Sequence, residues 1–186
     1  AAMSRGGLRA GRPTEILLTP VRRAGCPHPA AIDHRIIMME ILTGETAARI
    51  REAYIRRFVD TTAAYYITNI QHRTPCSDGM CYSGYLWDCF RKPRPMSREA
   101  CLAYLSGASD TCYVFWDIHS KDRILIPDYW KYPKDAVLRV TPDELLARMA
   151  DLPEDIYIFD DTYSWSIALT HETDAQERPY CLFTDT

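Results

Sequence analysis

No stretch of this sequence approaches the roughly eighteen consecutive apolar residues that a membrane-spanning helix needs, so a transmembrane helix is excluded. Neither a P-loop nor a dinucleotide-binding glycine fingerprint occurs, and phosphate-cradling chemistry has no local signature. No nucleophile elbow or catalytic-cysteine motif surrounds any serine or cysteine. Ile16-Leu17-Leu18 is too short for the apolar core of a secretory signal, and Pro20 and two arginines follow at once. There are no internal repeats.

The first 37 residues lack lysine and aromatic residues, yet hold four of the twelve prolines and four of the eight glycines. They carry six arginines against Glu15 and Asp33, a charge of +4, so with −3 overall the remainder carries −7. The expectation is a poorly ordered basic leader over residues 1–37, arising from upstream translation or cloning, ahead of one domain spanning 38–186 and starting near Met38-Met39. An arginine-rich arm for nucleic acid is the less favoured reading of the leader.

The cysteine count of seven is odd and the spacing irregular. Without a signal sequence this points to thiols in a reducing compartment, with Cys89, Cys101 and Cys112 among apolar neighbours as small core residues. Cys76, Cys81 and Cys89 with His72 provide soft ligands, but neither cysteine pair is C-x2-C, so no metal is expected, and no cofactor.

Ala47, Ile50, Tyr54 and Phe58 recur at helical spacing after Thr43, with Arg51, Glu52, Arg56 and Arg57 largely off that stripe. Thr61 to Ile70 reads equally as helix or strand. Tyr85 to Phe90 reads as a short buried helix stopped by Pro93 and Pro95, and Ser97 caps another that Gly107 ends. Thr141-Pro142-Asp143-Glu144 is a capping box with proline at the first helical position, opening a helix to about Ala150. Strands are expected at Cys112 to Asp117, covered on both faces, at Ile124-Leu125-Ile126, at Ala136 to Val140, and at Tyr180 to Phe183. A hairpin joins Asp155–Asp160 to Tyr163–His171 through a turn at Asp161-Thr162. The fold class is therefore α+β: a single domain with an antiparallel sheet of about 4–6 strands in the C-terminal half, packed by about four helices.

Polar residues that invite a functional reading gather around that hairpin: Asp160, Trp165, His171 and Glu172. A histidine with a carboxylate can do acid–base work, but neighbours on a strand face opposite ways, so His171 and Glu172 converge only if the strand bulges. Cys89 or Cys112 with His119 or His171 offers the parts of a nucleophile–base pair without a motif to join them. Aromatic density is the remaining signal: Tyr82, Tyr85 and Trp87 form one group, and Tyr129, Trp130 and Tyr132 a proline-flanked candidate interface.

Several of these pieces, in order, resemble a small bacterial family known only as a domain of unknown function. They are Tyr85-Leu86-Trp87-Asp88-Cys89-Phe90, Ser97-Arg98-Glu99-Ala100, Thr111-Cys112-Tyr113-Val114-Phe115-Trp116, and Asp155–Asp160 running into Trp165 and Thr170-His171-Glu172, with Pro179-Tyr180 behind. Ser164 and Ser166 replace that family's threonines, Arg178 replaces a glycine, and Asp88 stands where a histidine follows the tryptophan. The resemblance covers residues 82 to 183, carries no activity, and implies a stand-alone bacterial cytosolic protein in which Trp165, His171 and Glu172 matter most. The expected function is a binding or interaction protein, the immunity kind being one such class, with a basic protein partner, no membrane and no nucleic acid; its oligomeric state stays open. The alternative is a small hydrolase-type enzyme using His171 with a carboxylate.

Overall fold

Alternation along the strands generates the architecture, because successive side chains leave a strand on opposite faces and here both faces are apolar. The structure is a computed structural model that describes residues 39–76, 79–108, 110–119 and 131–185. Contacts divide the chain into residues 1–35 and 36–186, and the described residues lie in the second unit. The leader, the strand expected at Ile124-Leu125-Ile126, and Tyr129 and Trp130 fall outside the described residues.

In chain order the elements are β1 (Glu40–Leu42), α1 (Gly44–Phe58), α2 (Ala64–Tyr66), β2 (Thr74–Cys76), β3 (Gly79–Cys81), β4 (Arg94–Ser97), α3 (Arg98–Ala108), β5 (Cys112–Phe115), β6 (Val137–Val140), α4 (Pro142–Ala147), β7 (Ile156–Asp160), β8 (Trp165–Thr173) and β9 (Pro179–Asp185). A π-helical turn, Ile67–Gln71, continues α2, which resolves the ambiguous Thr61–Ile70 stretch as helical. Leu86–Cys89 is the expected short buried helix, wound as a 3-10 turn, and a second such turn, Met149–Asp151, finishes the segment that α4 begins.

Seven strands form one sheet in the order β1-β6-β5-β7-β8-β9-β4, every pairing antiparallel, and β2 with β3 makes a separate hairpin. The α+β class holds, with more strands than the sequence suggests, because both edge strands, β1 and β4, precede the strands expected from sequence. The edge strand β4 contains Pro95, where a stop is expected from sequence; at an edge a proline need not donate on the open side.

One face of the sheet, through Val114, Leu138, Ile158, Ile167 and Phe183, packs against Cys101 and Leu105 of α3 and Leu145 of α4. The other, through Phe115, Val137, Tyr157, Phe159 and Ala168, packs against Ala47, Tyr54 and Phe58 of α1 and against Leu86, Trp87 and Phe90. The capping box is realised: Thr141 Oγ1 accepts from the Glu144 amide at 3.2 Å. Ser97 Oγ likewise accepts from the Ala100 amide at 3.2 Å, but the helix runs through Gly107 to Ala108. Thr43 occupies the N-cap of α1 without a side-chain cap bond.

Candidate functional site

The strand β5 ends at Phe115, short of the expected Asp117, and Trp116 and Asp117 directly after it are both fully buried. A buried carboxylate needs hydrogen-bond donors on its oxygens. Tyr82 Oη donates to Asp117 Oδ1 at 2.7 Å, Tyr157 Oη donates to Oδ2 at 2.6 Å, and the Leu86 amide adds a longer bond of 3.4 Å. The Trp87 amide donates to Tyr157 Oη at 3.2 Å, so Asp117 holds the Leu86–Cys89 turn against the sheet directly and through Tyr157. Burial pushes the Asp117 carboxyl above its usual range, against the opposing pull of Tyr157, His119, Tyr82 and Arg51. Burial raises the phenols of Tyr82 and Tyr157 well above the ordinary value, and the neighbouring carboxylate adds to it.

That anchored turn presents aromatic rings to two histidines. Tyr85 and Trp87 stack at 4.1 Å between centroids; Tyr85 also meets His119 at 4.8 Å and His171 at 5.4 Å. His119 is buried and its Nε2 donates to the Gly84 carbonyl at 2.5 Å. Glycine is required there, since a Cβ at Gly84 would lie 2.8 Å from Asn69 Cβ and 2.9 Å from Tyr65 Cε1. The π-helical turn contributes its Asn69 carbonyl, which accepts from the amides of both Ser83 and Gly84, 3.1 and 3.2 Å away.

His171 reaches this group because the pairing of β8 with β9 shifts register between Leu169 and Thr173. Upstream of the shift, Trp165, Ile167 and Leu169 face α3 and α4, whereas His171 packs beside Trp87, 5.8 Å away on the α1 side of the sheet. This is the bulge that an encounter of His171 with Glu172 demands. The buried Asp155 accepts from the His171 amide at 2.8 Å and from its Nδ1 at 2.9 Å, while Glu172 Oε1 stands 3.8 Å from Nε2. Partial burial would lower the His171 pKa, but the hydrogen bond and charge of Asp155, with Glu172 and Glu154, raise it overall.

A folded pKa above the unfolded value means that this protonated pair contributes its full stability below about pH 6.5, where the unfolded imidazole is also charged. The contribution is lost as pH rises through the folded pKa. Proton NMR titration of the His171 ring is therefore expected to give a midpoint above 6.5, falling in Asp155→Asn. A midpoint at or below 6.5 in the wild type contradicts the pairing.

The four candidates from the sequence do not form one site. Asp160 and Trp165 lie at the other end of the hairpin from His171 and Glu172: Asp160 closes the turn by accepting from the Ser164 amide at 2.8 Å, the Ser164 hydroxyl at 2.8 Å and the Trp165 amide at 3.1 Å. Burial would raise the Asp160 pKa, yet these bonds and that of Thr162 lower it on balance. Trp165 is a core residue, edge-on to Tyr104 at 5.4 Å. Tyr132, expected at an interface, is buried against Trp116, with ring centroids 6.2 Å apart.

The cysteines depart from expectation at one position: Cys81 is disulfide-bonded, whereas Cys89, Cys101, Cys112 and Cys181 are buried free thiols. Burial pushes the thiol of Cys89 up to about 11 and that of Cys112 up to about 12, so neither is a ready nucleophile. Among the described residues no cluster of His, Cys, Asp or Glu is arranged to hold a metal ion.

Asp117, Asp155, Tyr157 and Arg51 were not marked by sequence pattern as site residues. Arg51, expected to be largely off the packed stripe of α1, instead turns inward, donating to the Trp116 carbonyl at 2.9 and 2.6 Å and stacking on Phe115 at 4.5 Å. A carboxylate directly after an apolar strand was the one available signal for Asp117. No family model, curated protein or solved structure matches the chain. No helix among the described residues is long and apolar enough to cross a membrane.

Proposed function

We propose that this protein is a small binding protein that recognises a basic protein partner through the surface around His171, in the manner of an immunity protein neutralising a cationic toxin. The observation that carries this reading is the surface chemistry of the His171 end. The exposed Glu154 and Glu172 act on the part-exposed His171, and the half-buried Tyr85 ring lies 5.4 Å from the imidazole. Such a surface steers a positively charged partner and offers one aromatic ring, Tyr85, beside its carboxylates. The resemblance at Trp87, Trp165 and Thr170-His171-Glu172 supports a stand-alone bacterial protein of the cytosol.

The second reading, a small hydrolase-type enzyme, is favoured by Asp155, which orients the His171 ring as a general base requires. Against it, carboxylates stand at both ring nitrogens and the side chain is 39% exposed on the surface. An imidazole held this way keeps its proton rather than taking one from a substrate.

The charge reversals Glu154→Lys and Glu172→Lys change two exposed residues that make no core contact. Wild-type protein immobilised in native lysate is expected to retain a basic protein that the double variant loses, with affinity lowered about 10-fold or more when the purified pair is measured by calorimetry. Retention of the same protein by the double variant, or recovery of none with a basic isoelectric point, defeats the reading.

A further inference from the structure

We propose that the cavity between α1 and the Tyr82–Leu86 segment is a binding site for a small organic monocarboxylate with a flat apolar body. The site is separate from the acidic surface around His171 and goes beyond the reading given above. Its volume is about 510 Å3, within the range that small-molecule sites occupy.

The lining mixes two chemistries: the apolar Phe115, Leu86, Ile118 and Ile55, and the guanidinium groups of Arg51, Arg56 and Arg73, with Tyr66 and Tyr82 also in the wall. The two meet at Arg51, whose guanidinium lies over the Phe115 ring, 4.5 Å from its centroid. Arginine forks match a carboxylate in two parallel hydrogen bonds, and an apolar floor beside them accepts a ring.

Arg51 is the group whose state calls for a ligand. Its contacts are to the Trp116 carbonyl and the Phe115 ring, and among the described residues it makes no ion pair. Two donated bonds leave further N–H donors of the five on a guanidinium. Burial depresses its pKa, with Tyr82, Asp117 and Asp135 only partly offsetting this. The nearest buried anion, Asp117, already has both oxygens occupied by Tyr82, Tyr157 and the Leu86 amide.

Arg73 is exposed and, among the described residues, has no ion pair; Arg56 has only an exposed partner, Glu52, 3.7 Å away. An arginine pair of that kind is worth little and is readily exchanged for a ligand. Glu52 and Asp135 also line the cavity, leaving three cations against two anions. That balance, one net positive charge, matches one negative charge better than the two of a phosphate dianion.

The test uses the full chain and three probes followed by amide NMR: benzoate, benzamidine of the same shape and opposite charge, and inorganic phosphate. Benzoate is expected to bind with a dissociation constant on the order of 1 mM, shifting the amides of Arg51, Tyr82 and Ile118, and benzamidine is expected to leave them unmoved. Phosphate should bind more weakly than benzoate. The exposed substitution Arg73→Glu, which breaks no packing, is expected to weaken benzoate at least about 10-fold, and Arg51→Lys should weaken it while keeping the fold. Equal binding of benzoate and benzamidine overturns the proposal, as does tighter binding of phosphate or no effect of Arg73→Glu. None of these outcomes bears on Glu154 and Glu172, so the two readings fail independently.

Discussion

Asp117→Ala is expected to lower the unfolding free energy by about 3–5 kcal/mol, the scale seen when one partner is removed from a buried charged network. The substitution strips the acceptor from the phenols of Tyr82 and Tyr157, both buried, and from the Leu86 amide. Each orphaned donor adds about 1–3 kcal/mol of desolvation, with incomplete additivity because the three share one centre. Arg51 also loses the nearest buried anion. Asp117→Asn keeps one acceptor oxygen and the side-chain volume, and should lose markedly less. Urea unfolding followed by tryptophan fluorescence measures both. A midpoint for the alanine variant indistinguishable from wild type would mean that the carboxylate does not organise the centre. Because Asp117 anchors the Leu86–Cys89 turn, the alanine variant should also loosen the Tyr85–Trp87 stack, visible as weaker near-ultraviolet circular dichroism.

Tyr54→Ala should be comparably severe, at about 3–5 kcal/mol, from loss of an aromatic core side chain. Tyr54 is wholly buried on α1, and its ring lies 4.8 Å from Phe115, 4.8 Å from Phe159 and 4.9 Å from Phe58. It is the contact through which the helix is seated on β5 and β7 together. Its hydroxyl shares a 2.7 Å hydrogen bond with the buried Ser166, and burial holds the phenol well above its ordinary pKa. Tyr54→Phe keeps the ring and orphans Ser166, so it should lose about 1–2 kcal/mol. The ranking Ala below Phe below wild type in thermal unfolding separates packing from the hydrogen bond. If the phenylalanine variant were as unstable as the alanine variant, the hydroxyl pair rather than the ring would dominate.

Much of the secondary structure is legible in the sequence because its causes are local. The capping box at Thr141 acts over four residues, the stripe from Ala47 to Phe58 over about three turns, and the alternation of large and small side chains in Tyr163–His171 over a single strand. The two-sided burial of β5 follows from a strand that carries apolar residues on both faces, and it is realised with α1 on one side and α3 and α4 on the other. The edges were not legible. Glu40–Leu42 and Arg94–Ser97 are three and four residues long, with mostly exposed side chains, and each becomes a strand only by pairing with β6 or β9.

The sequence alone determined the α+β class, the core strands, the helix starts and the acidic balance of residues 38–186, all consequences of neighbouring residues and composition. Only the tertiary structure decided which polar groups meet. Asp117 lies 35 residues from Tyr82 and 40 from Tyr157, and no periodicity links positions so separated. His171 was visible as a candidate, but its partner Asp155 and its place on the α1 face depend on the register shift between β8 and β9, which arises in the pairing of two strands rather than in either one. Asp160 and Trp165, attractive in the linear sequence, became a turn and a core residue because the hairpin puts its two ends a full strand length apart.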